Sequence, residues 1–135
     1  MEVNKKSIDF GKRLRSARKM AGLSMEDLAK KAQVIVTKQS ISKYEKGMIK
    51  PSSEVIIRLA EALDVKPEYF YRKKSIELSN MQFRKRADLP LKTLESLKQR
   101  TIDFLERYLE LENILGISDK FENPLKDFTM ADSII

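Results

Sequence analysis

The chain has no cysteine and no histidine among its 135 residues. Without cysteine there can be no disulfides and no thiolate metal sites. That fits a reducing compartment, and the expected location is the cytoplasm. Without histidine, Ser-His-Asp and Cys-His catalysis lack their imidazole, and the H-E-x-x-H zinc motif lacks its ligands. No run of about 18 apolar residues exists, so nothing reads as a membrane span. The N-terminal lysines are not followed by the apolar stretch of a secretory signal. Carboxylate pairs such as Glu110 and Glu112 lie on a charged helix face and need no catalytic explanation. The expectation is a non-enzymatic protein with no cofactor and no metal.

What the chain does hold is charge, 35% of its residues, with a net of +7. The two signs are unevenly placed. Residues 1–75 carry 18 Lys and Arg against 9 Asp and Glu, whereas residues 76–135 carry 9 against 11. A basic half beside a near-neutral one points to a polyanion binder, because neutralising phosphates releases condensed counterions.

The basic half reads as short, punctuated helices. In "SIDFGKRLRSARKMAG", Ile8, Leu14, Ala17 and Met20 or Ala21 recur at roughly helical spacing, and Gly22 is a stop. Ser24 can cap "MEDLAKKA", residues 25–32. Met25, Leu28, Ala29 and Ala32 form its buried face, and Glu26 and Asp27 complement the helix dipole. Thr37 is a suitable N-cap for "KQSISKYEK", residues 38–46, which ends at Gly47. Val36 and Ile41 then occupy N′ and N4, a hydrophobic staple that fixes how the chain enters the helix. After Pro51, Ser52 or Ser53 caps "EVIIRLAEALDV", with Val55, Ile56, Leu59, Ala60 and Leu63 inward, and "PEYFY" adds a short turn.

The helices at 25–32 and 38–46, joined by a few residues, make a helix-turn-helix. Lys38, Gln39, Ser42 and Lys43 open the second helix. These types suit base edges: Gln pairs with adenine, Lys with guanine, and a hydroxyl with either. Ile41 and Tyr44 anchor its other face.

"LSMEDLAKKA…TKQSISKYEKGMIKPSSEVIIRLAEALDV" resembles the Cro/C1 type of helix-turn-helix, the phage repressor-like family, over about residues 8–71. The resemblance implies an all-α, five-helix, lambda-repressor-like DNA-binding domain whose helix after Thr37 enters the major groove. By position it implies base contacts from Lys38, Gln39, Ser42 and Lys43. It implies phosphate contacts from Ser24, Thr37, Lys46 and Lys50, and a structural salt bridge between Arg18 and Glu45. It further implies a sequence-specific transcriptional regulator, a repressor binding a palindromic operator in double-stranded DNA as a homodimer. Two departures stand out. Met25 occupies a position where many relatives have a Gln that supports the phosphate clamp. "QVIV" makes the turn about two residues longer than usual, and at least one of Val34 and Ile35 is expected to be buried.

Past residue 74 the pattern changes. "SIELSNMQFRKR" partly alternates, so residues 75–89 read as an extended linker. Pro90 opens a helix of roughly 25 residues, about 38 Å long, that ends at Gly116. Leu94, Leu97, Thr101, Phe104, Tyr108, Leu111 and Leu115 repeat at three- and four-residue steps, and Ile102, Leu105 and Leu109 widen the stripe. Such a helix must pack on the N-terminal domain, on a second copy or on a different protein. The expected organisation is a DNA-binding domain over 1–74, the linker, a dimer or partner helix over 90–116, and an irregular tail over 117–135. "FRKR…LPLKTLESLKQR…ERYLELENILG…FENPL" is similar to the segment that joins such domains to zinc-dependent ImmA/IrrE-like peptidases. With no histidine the chain cannot hold that zinc site. The likeness therefore implies a regulator without its own protease, or a truncated chain. The alternative partner is a separate metallopeptidase or a toxin, with the protein acting as an antitoxin or as a peptidase-targeted regulator.

Overall fold

A computed structural model describes residues 5–33, 36–72, 76 and 89–117. Among these the protein is all-helical. α1 is Lys5–Met20, α2 Met25–Lys31, α3 Lys38–Glu45 and α4 Ser53–Leu63; a 3-10 turn covers Pro67–Tyr71, and α5 is Leu91–Leu115. Val34 and Ile35, the extended linker apart from Ile76 and Leu89, and the tail beyond Ile117 lie outside the described residues.

Each boundary has a local cause. Gly22 ends α1 in the left-handed region at φ +66°. Ser52, rather than Ser53, caps α4 by accepting the Val55 N–H at 3.4 Å. α2 and α3 stop one residue short of the sequence expectation, with Ala32 and Lys46 as C-caps. Pro90 is the N-cap of α5 and not its first helical residue, and Gly116 closes it at φ +66°.

Phe10, Leu14, Ala17, Leu28, Ala32, Val36, Ile41, Ile56, Leu59, Leu63, Tyr69 and Phe70 form one core shared by α1 to α4 and the 3-10 turn. Val36 and Ile41, the staple pair, are 5% and 0% exposed, so the entry to α3 is fixed from both sides of its cap. Met25 packs half-buried against this core, an apolar use of the position.

α1 is the central layer. Its Ile8–Gly11–Arg18 stripe faces α3. A Cβ on Gly11 would lie 2.5 Å from the Tyr44 carbonyl oxygen and 2.6 Å from that of Glu45, so glycine sets the depth of this contact. The Arg13–Met20 stripe lies about 200° round the helix and faces α5. Of the three coverings open to the long helix, the N-terminal domain takes one face. The Met20 carbonyl accepts from Ser96 Oγ at 2.7 Å and from Arg100 Nε at 3.3 Å, and Arg13 Nη1 meets Glu106 Oε2 at 2.6 Å. The two helices therefore run antiparallel.

The face of α5 used for this packing is mainly polar. Ser96, Ile102, Asp103 and Glu106 turn inward, and Glu95 and Glu110 pair with Lys19 and Arg72 at its edges. The heptad stripe lies on the opposite side. Leu97, Phe104, Tyr108, Leu111 and Leu115 are 44–68% exposed, while Leu94 and Leu105 are half-buried.

Candidate nucleic-acid interface

Thr37 starts α3 by accepting the Ser40 N–H at 3.2 Å, which places Lys38 and Gln39 in the first turn. Ile41 and Tyr44 hold the inner side of the helix. Lys38, Gln39 and Lys43 are exposed, and Ser42 is half-buried beside them. Gly47 at φ +68° turns the chain back, and Lys46 and Lys50 are exposed on the loop that follows.

Residues 33–53 contain a single carboxylate, Glu45. It is turned inward, where Arg18 Nε and Nη2 donate to Glu45 Oε1 and Oε2 at 2.6 and 3.0 Å. Arg18 Nη1 also donates to the Leu23 carbonyl at 3.0 Å, joining α1, the α1–α2 turn and α3. The pair is largely buried, with 11% and 4% side-chain exposure, so it is scaffold. Its consequence is electrostatic: the outward side of α3 and its loop displays Lys38, Lys43, Lys46 and Lys50 with no acid among them.

Ser24 lies at the exposed start of α2, in reciprocal bonds that the sequence reading did not anticipate. Its Oγ accepts the Asp27 N–H at 3.0 Å and donates to Asp27 Oδ2 at 2.7 Å, while the Ser24 N–H donates to the same oxygen at 3.0 Å. The signal was a serine three residues before an acid, a variant of the capping box. The hydroxyl hydrogen bond, then the backbone one, hold the Asp27 carboxyl below the usual aspartate range. Lys92, from the first turn of α5, comes within 3.8 Å of Asp27 and adds a cation to this corner. Only the fold brings it there, 65 residues along the chain.

The α1–α5 junction holds the residues that periodicity missed. Arg13 and Glu106 side chains are each 3% exposed. Arg13 Nε donates to the Arg72 carbonyl at 2.9 Å, and its guanidinium lies 5.4 Å from the centre of the Tyr69 ring. Burial disfavours the Arg13 charge, but the hydrogen bond and charge of Glu106 outweigh it, and the pKa is raised. Asp103 Oδ2 accepts from Arg107 Nη2 at 2.8 Å, while Oδ1 is buried without a partner. Among the described residues no acidic cluster could hold a metal ion, and no helix is long and apolar enough to cross a membrane.

Two closely packed short helices, the second capped, cationic and exposed, define a helix-turn-helix domain. Residues 14–70 match the family model described as "Helix-turn-helix". These residues form a Cro/C1-type helix-turn-helix domain, and the protein is a DNA-binding transcription regulator. No curated protein and no solved structure matches the chain.

Proposed function

We propose that this regulator is sequence-specific and acts in the cytoplasm as a repressor, binding a palindromic operator as a homodimer. The exposed side of α3 carries this reading, since its acid is withdrawn into the Arg18 pair and its amide and lysines face outward. Gln39 is assigned to a base edge, with Lys38, Ser42 and Lys43 beside it. Lys46, Lys50, Thr37 and Ser24 are assigned to phosphates, which position the protein without reading sequence.

The dimer is assigned to α5. Its exposed heptad face lies away from α1, so a second copy can pair there without disturbing the DNA-binding domain. In a parallel pairing Arg107 of one copy would face Glu112 of the other, across the positions that flank such a seam. An alternative occupant is a separate protein, such as a metallopeptidase or a toxin. The width of the exposed band favours it: Leu109 and Ile114, outside the seam, are 47% and 71% exposed.

Sedimentation equilibrium of the full chain, alone and with duplexes holding one or two inverted half-sites, separates the readings. The expected result is a dimer that binds the inverted pair more tightly, and run-off transcription from a promoter overlapping that pair should fall when the protein is added. A monomer that binds one half-site and dimerises on neither duplex would contradict the homodimer and favour the separate partner.

A further inference from the structure

We infer that Arg13 and Glu106 set the spacing at which two copies meet their half-sites. The inference rests on the homodimer reading above. The molecule is layered: α3 packs on one stripe of α1, α5 packs on the opposite stripe, and the exposed seam lies beyond. The distance between two recognition helices then depends on how α5 is held against α1. A purely apolar contact could slide or rotate with little penalty. This junction is directional. Arg13 reaches Glu106 at 2.6 Å and the Arg72 carbonyl at 2.9 Å from two different nitrogens, over the Tyr69 ring. Ser96 donates to the Met20 carbonyl roughly three turns away along α5. Together these contacts fix both the register and the rotation of α5.

A buried ion pair is a weak source of stability, because desolvating two charges offsets most of their attraction, whereas fixing register is its best-attested use. Both side chains are 3% exposed, so neither can touch DNA. They act as positioning residues.

The test uses the full chain and duplexes in which two inverted half-sites are separated by a graded series of spacers. The wild type is expected to prefer one separation, near one turn of DNA, about 34 Å centre to centre. In Glu106→Gln and Arg13→Met, single-half-site affinity should stay within about twofold while the preference for that separation falls from about tenfold to about twofold. The double variant Arg13→Met with Glu106→Leu refills the junction with apolar volume. It should recover the thermal midpoint without recovering the spacing preference, so it carries the test even if the single variants do not fold. Variants that keep the wild-type spacing, or a double variant that recovers spacing along with stability, would overturn the inference and leave the homodimer intact. A wild-type dimer with no preferred spacing would overturn the inference alone. A wild type that is monomeric and indifferent to spacing would overturn both.

Discussion

Gln39, at the second position of α3, is exposed and held there by a cap and a staple that do not involve its own side chain. Gln39→Ala should therefore leave the fold unchanged and relax specificity at one base position, by about 1–3 kcal/mol. Lys50 lies on the loop after the helix, so Lys50→Ala should weaken all sequences alike and lower the salt slope by about one for each bound copy, about two for the dimer on its operator. Binding titrations on operator and scrambled duplexes at graded salt read both effects. A Gln39→Ala protein with unchanged discrimination would remove this residue from direct readout. The roles of Thr37, Val36 and Ile41 were legible in the sequence because caps and staples are local, set by spacing along a few residues. Arg13 was not. It reads as one more surface cation in a basic helix, and it is buried by α5 together with Tyr69 and Arg72, elements distant in the chain.

At the scale of elements, α5 was legible as a long helix between Pro90 and Gly116, and its heptad stripe was read correctly as a stripe. Which side would meet the domain was not legible. Hydrophobicity points to the heptad face, yet the Ser96–Asp103–Glu106 side packs on α1 because α1 offers Arg13, Lys19 and the Met20 carbonyl. Charge complementarity between two helices so far apart in the chain leaves no local signal in either. Phe104 sits mid-way along the exposed face at 68% exposure, so it stabilises the single copy little. Phe104→Ser should leave the thermal midpoint of the monomer near its original value and raise the dimer dissociation constant about a hundredfold, from losing about 1.5 kcal/mol of burial on each copy. Sedimentation at graded concentration measures it, and an unchanged constant would move the interface elsewhere.

Across the whole molecule, the excess of basic charge in residues 1–75 suits a polyanionic partner, while acids such as Asp27 and Glu45 are committed to structure. Hydrogen bonds from Ser24 lower Asp27, and the hydrogen bond from Lys19 lowers Glu95. A carboxylate lowered in the folded state stabilises fully above its unfolded pKa, and that contribution is lost as pH falls through the folded value. Thermal midpoints should therefore be steady near neutrality and fall below about pH 4. Asp27→Asn should flatten part of that fall, and an identical acid profile in the variant would show that the capping box has no part in it. The central claim concerns the cationic side of α3 acting twice on one duplex. Selection of bound DNA from a random pool, repeated at two salt concentrations, tests it most directly. The account predicts an enriched inverted repeat whose affinity falls with a log–log salt slope of about −4 or steeper, from Lys46 and Lys50 on each of two copies; a pool that remains random, bound equally at every sequence, would contradict it.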